Sequence, residues 1–184
     1  LDVRGWSEMH PLNGPAWSLF FEYVANILYA VLIRKFTSRW LAVLVFLAGC
    51  ALIHQCYTQG NNIGGWTLDA EQCRVGLTRL MFPFFGGLLL FRLCKPGRLR
   101  HGFWWCSLLL AGALAAPHVG GAENFRLNGL YDAFCIIVIF PAVVFLGASD
   151  IPGDISSRAS RFLGNISYPL YITHYPVSYT HLRA

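Results

Sequence analysis

Apolar residues come along this chain in long blocks, broken by short polar or basic interruptions, and no stretch shows the strict two-residue alternation of a half-buried strand. The blocks predict helices at about 17–33, 40–54, 75–93, 102–116, 130–147 and 161–179. Arg34, Lys35 and Arg39 separate the first two. The second gives way to a loop rich in Gly and Asn between Tyr57 and Gln72, and a basic turn from Arg92 to Arg100 ends the third. The fourth is short for a bilayer that needs about 20 apolar residues. Pro169 and Pro176 are expected to kink the last helix. Gly86-Gly87, in the middle of the third, is the expected place of close helix approach.

Composition turns helices into membrane helices. With 55% hydrophobic and only 12% charged residues, and a mean hydropathy of +0.49, the fold class is all-α: a polytopic transmembrane bundle of about six spanning helices. The net charge of +5 forms no basic face, so nucleic acid is excluded as a partner and the lipid bilayer takes its place. Arg34, Lys35, Arg39, Arg92, Lys95, Arg98, Arg100, Arg158 and Arg161 fall on one parity of the loops, against Arg4, Arg74 and Arg126 on the other. The positive-inside rule then places the Tyr57–Gln72 loop and the 117–129 link outside. The basic turn is read first as a topology determinant and second as a contact for coenzyme A phosphates. The six cysteines show no metal spacing, and no metal site is expected; Cys56 and Cys73 flank one loop and could pair if it faces an oxidising compartment. No signal peptide is visible at Leu1, and the polar end at 179–184 reads as a truncated or non-native tail.

The candidate chemistry lies where charge interrupts the apolar blocks. Glu22 sits five residues inside the first helix after Trp17, and Arg79 lies near the start of the third. An ionisable residue inside a membrane helix costs about 2.5–3.5 kcal/mol on insertion scales, which marks it for function and asks for a partner. At about 1.5 Å per residue both lie about 6 to 8 Å below the outer end of their helices, and His174 reaches the same outer half from the other side. The expectation is a Glu22–Arg79 ion pair with His174 in one layer. Each has a structural alternative: a pair that only ties two helices, a hydrogen-bonded core histidine, and for Trp17 an interfacial aromatic.

The stretch LNGPAWSLFFEYVANILYAVL resembles the W-S-L-x-x-E helix of the membrane-bound acyltransferase 3 family of bacterial O-acyltransferases. RLMFPFFGGLLLF from Arg79 is similar to that family's Arg-to-Gly-Gly helix, and FLGNISYPLYITHYPV from Phe162 to its late S-Y-P-L-Y-x-x-H segment. The resemblance implies an integral membrane enzyme, multi-pass in a bacterial inner membrane. It would move an acyl group, acetyl from acetyl-CoA, onto a hydroxyl of a sugar or a surface or lipid-linked glycan, with acyl-CoA as donor substrate and no bound cofactor. Carried over by residue, Glu22, Arg79 and His174 support the catalytic pocket, while Trp17, Ser18, Asn13, Ser167 and Tyr168 contact substrate. The family's Arg-plus-His first helix has no counterpart in residues 1–184. The chain therefore reads as one acyltransferase-type domain without its N-terminal helices, and the presumed catalytic histidine lies outside it. A proton-coupled carrier using Glu22, Arg79 and His174 is the alternative, opposed by the lack of an internal repeat.

Overall fold

A computed structural model describes residues 16–32, 37–95, 97–116, 124–151 and 153–182. In order, the elements are α1 (Ala16–Leu32), α2 (Ser38–Gln59), α3 (Ala70–Leu93), β1 (Leu99–Arg100), α4 (Gly102–Ala115), α5 (Phe125–Ala148), β2 (Asp150–Ile151) and α6 (Asp154–Leu182). Side-chain and backbone caps satisfy free groups at the termini of α2 and α3. Thr37 Oγ1 accepts from Trp40 N to start α2, and Gly60, left-handed at φ 71°, closes it with its N–H on Cys56 O. The Asp69 carboxylate accepts from Gln72 N at 2.9 Å and starts α3 five residues before the expected Val75. α5 widens to a π-helical turn at Cys135–Ile139, with Phe140 N–H on Cys135 O; Pro141 just beyond lacks the N–H that would continue a regular α-ladder. α6 stays helical through Pro169 and Pro176.

The fold is all-α, as expected, apart from one two-residue ladder. Among the described residues three helices, α2, α3 and α5, are long and apolar enough to cross a membrane. The count of about six is not reached: α1 and α4 are apolar but shorter, and α6, at 29 residues, is not among those apolar enough. Apolar side chains also cover the outside, with Val31 73%, Phe46 69% and Phe91 85% exposed. A soluble protein rarely carries such a surface, and lipid satisfies it.

α2 is the centre of the bundle. Ala48, Leu52 and Cys56 pack with Phe82 of α3 and Ala133 of α5, ringed by Val45, Met81, Ile136 and Ile137. Close helix approach falls on glycines other than the expected pair. A Cβ at Gly129 of α5 would sit 1.9 Å from Cys56 O, and one at Gly76 of α3 would sit 2.5 Å from the Phe21 ring of α1. Gly87 has nothing within 4 Å and Gly86 only contacts at 3.9 Å, so Gly86-Gly87 is not where these helices meet. The Cys56–Cys73 disulfide does not form either: both thiols are free, Cys56 inside the α2–α3–α5 core and Cys73 with its thiol toward Thr67 O.

Two sets of contacts fix which connections share an end. β1 pairs in parallel with β2, Leu99 opposite Asp150 and Arg100 opposite Ile151, and Gly97 N donates to Ser149 Oγ, so the basic turn lies beside the α5–α6 connection. At the other end the α2–α3 loop lies against the start of α5, where Asn62 N donates to Asp132 and Arg126 donates to Tyr57 OH.

Candidate functional site

A cleft of about 520 Å³ opens between α1, α3 and α6. α1 brings Trp17 to it, and Ser18, Glu22 and Asn26 at steps of one helical turn along one face. α3 brings Gly76, Arg79, Pro83 and Phe84, and α6 brings Tyr171. The packing that makes this face possible is local. Phe21 and Ala25, 4% and 1% exposed, are buried between the cleft-facing positions, and Gly76 lets the Phe21 ring approach the α3 backbone.

Arg79 is held on two sides. Its Nη1 donates to Gly64 O of the α2–α3 loop, and its guanidinium lies 4.7 Å from the centroid of the Trp17 ring. The loop can offer that carbonyl because Gly64 and Gly65 take φ of 131° and 102°, and because Gly65 N donates to Gln72 Oε1 at 2.6 Å. Gly65 also has no room for a side chain, since a Cβ there would meet the Trp17 ring and Gly76 Cα at 2.9 Å. Opposite, the Ser18 and Tyr171 hydroxyls hydrogen-bond to each other and join α1 to α6.

The expected Glu22–Arg79 ion pair does not form. Both residues line the cleft, but Arg79 is turned to Gly64 O and Trp17, and among the described residues the Glu22 carboxylate has no hydrogen bond or ion pair. The longer α3 accounts for part of this: from Ala70, Arg79 lies about 14 Å into its helix, whereas Glu22 lies about 9 Å into α1. Glu22 thus presents to the cleft a carboxylate unpaired among the described residues, with Asn26 beside it donating to the Glu22 backbone oxygen at 2.8 Å.

Of the other residues singled out in the sequence, Trp17 and Ser18 line the cleft. Ser167 and Tyr168 do not; Ser167 Oγ donates to Gly164 O of its own helix at 2.9 Å, and Tyr168 is 61% exposed. Asn13 lies outside the described residues, as does the side chain of His174, whose backbone continues α6 one turn past Tyr171. Sequence reasoning passed over Tyr171, Asn26 and Phe84. Tyr171 is three residues before His174 and Asn26 four after Glu22, the spacing that puts residues on one helix face, and that was the available signal. Among the described residues no group of His, Cys, Asp and Glu has the arrangement of a metal site.

Chemically, the described lining combines aromatic faces with the Arg79 cation, the Glu22 carboxylate, the Asn26 amide and the Ser18 and Tyr171 hydroxyls on an apolar floor. Such a lining suits a neutral, hydroxyl-rich group better than a strongly charged one, because it offers directional acceptors and donors without a net field. No curated protein and no solved structure matches the chain. The family model described as an acyltransferase domain matches residues 2–180, so this chain, with its membrane-length helices and its α1–α3–α6 cleft, belongs to the acyltransferase 3 family of membrane-embedded acyltransferases.

Proposed function

We propose that the protein is a multi-pass O-acyltransferase of a bacterial inner membrane, with about six spanning segments, that moves an acetyl group from acetyl-CoA to a hydroxyl of a sugar or lipid-linked glycan. The observation that carries this is the convergence of Trp17, Ser18, Glu22, Arg79 and Tyr171 on one cleft in a chain of the acyltransferase family. In the reaction the acceptor oxygen forms a bond to the thioester carbonyl carbon, the C–S bond breaks, and coenzyme A leaves as the thiolate. The acceptor proton passes to a general base, the histidine that the family resemblance places outside residues 1–184. Because a thioester is already activated, the chain's own residues contribute mainly by positioning. The Glu22 carboxylate accepts a hydrogen bond from an acceptor hydroxyl. Arg79, spending one N–H on Gly64 O, keeps others for the acceptor, and the Trp17 and Phe84 rings flank it. Tyr171 closes the acceptor side from α6, on the segment that also carries His174.

The test uses membranes carrying the full-length protein, the helix with the presumed catalytic histidine included, acetyl-CoA labelled in the acetyl group, and the cell's own glycan and lipid fractions as acceptors. Base-labile label should appear in one of those fractions and fall strongly with Glu22→Gln at unchanged protein level. Label no higher than in membranes lacking the protein, with the protein present and folded, would reject the reading.

A further inference from the structure

Among the described residues Arg79 has no acidic partner in the cleft, and the α2–α3 loop that holds it is itself tied to an acid elsewhere. Asn62 N donates to Asp132 Oδ2 of α5 at 3.3 Å, across 70 positions of sequence. Two residues on, Gly64 O receives Arg79. Asp132 lies about 10 Å into α5 from its start at the loop end. Gln55, only 1% exposed, gives Nε2 to the Asn62 side chain at 3.4 Å, so the loop residue is gripped by α2 and α5 together. Gly129 and Gly60 supply the close approach this needs: Gly129 lies against Cys56 O, and Gly60 leaves no space beside the Phe125 ring.

We propose that Asp132 is a positioning residue for Arg79: it pins the 60–65 loop through Asn62 N, and that loop presents Gly64 O to hold the guanidinium over Trp17. The path runs Asp132, Asn62, Gly64, Arg79, Trp17, and crosses α5, the loop, α3 and α1. Glycine populates both signs of φ, so the two glycines at positive φ keep one conformation only where contacts hold them; Asp132 on Asn62 N supplies one such contact, beside that of Gln72 Oε1 with Gly65 N. Its bearing on acyl transfer rests on the function proposed above; its bearing on Arg79 does not.

The test reads Trp17 directly, in full-length protein in lipid nanodiscs with every other tryptophan replaced by phenylalanine. Arg79→Met gives the emission of Trp17 without the guanidinium. Asp132→Ala is expected to reproduce that emission and to add no further change in the Arg79→Met background. Asp132→Asn, whose side-chain oxygen still accepts from Asn62 N, is expected to keep the parent emission. If Asp132→Ala does not fold, Asp132→Ser, too short to reach Asn62 N, takes its place with the same expectation. A parent-like spectrum in the Ala or Ser variant, where Arg79→Met shifts it, would overturn the proposal. So would an Arg79→Met spectrum equal to the parent's, because the stack it serves would then be absent. With acetyl-CoA as donor, Asp132→Ala should lower transfer to the Arg79→Met level. A protein that shows the Trp17 shift but transfers no acyl group in the parent form refutes the acyltransfer reading and leaves the positioning role standing.

Discussion

At the scale of single residues, two intramembrane charges that the sequence pairs turn out to have different duties. Arg79 is structural and chemical at once, because its guanidinium closes on Gly64 O and covers Trp17. Arg79→Met leaves a buried carbonyl without its donor, worth about 1–3 kcal/mol, and removes a cation–ring contact worth about 0.5–1 kcal/mol. The variant should melt at lower temperature and lose transfer. Glu22 is exposed to the cleft and unpaired among the described residues, so Glu22→Gln should change stability by no more than about 0.5 kcal/mol while reducing transfer. Breaking a buried ion pair would instead cost about 3–5 kcal/mol and would be relieved in the double variant. Here the double variant should melt like Arg79→Met alone. Thermal unfolding of detergent-purified protein decides this, and a double variant more stable than Arg79→Met would restore the ion pair that the geometry denies. That the charges matter was readable from their cost in a membrane; their partners were not, because Gly64 O reaches Arg79 only through the fold of a glycine loop.

At the scale of elements, helices were legible as apolar blocks and their ends were not, because ends are set by single caps. Thr37 and Asp69 begin α2 and α3 earlier than the apolar pattern does, and Gly60 lets α2 continue past His54 through residues that read as loop. Asp69 provides a pH-dependent example. Its carboxylate is held below the usual range chiefly by the Thr67 hydroxyl and then by Gln72 N, so its cap strengthens the native state above the ordinary aspartate pKa and fades as pH falls through the lowered value. Asp69→Ala should therefore melt below the parent at neutral pH, and the two should converge in strong acid; a constant gap down to acid pH would remove the carboxylate from the cap. Glycines separate in the same local way. Gly129→Ala drives a Cβ into the Cys56 carbonyl, a backbone atom that cannot turn aside, and should cost about 1–3 kcal/mol or more. Gly112→Ala meets nothing within 4 Å and should be neutral or gain up to about 1 kcal/mol of helix propensity. In sequence both are glycines in helices, and only the backbone across the interface distinguishes them. Equal melting temperatures for the two variants would count against the α2–α5 approach.

For the whole molecule, the arrangement of connections is what the charge pattern of the loops anticipated. The parity of basic residues groups the Arg92–Arg100 turn with the segment before Arg158, and the β1–β2 ladder joins those two connections. It groups the α2–α3 loop with the α4–α5 link, and Asn62 to Asp132 and Arg126 to Tyr57 bring the loop to the start of α5. The cleft was legible only in part, since Trp17, Ser18, Glu22 and Arg79 carry motif positions, whereas Tyr171 and the Asp132 anchor depend on contacts across 153 and 70 positions of sequence. Contacts fix which connections share an end; the bias of Arg and Lys assigns that end to a side of the membrane. In a background without native cysteines, Ile63→Cys, 62% exposed on the α2–α3 loop, should react with an impermeant maleimide on intact cells. Lys95→Cys, exposed on the basic turn at the opposite end, should react only after the membrane is opened. Labelling of both in intact cells would contradict a membrane between the two ends. Labelling of Lys95→Cys alone would keep the bundle and invert it, placing the α1–α3–α6 cleft's loop end, and the acceptor it takes, in the cytoplasm.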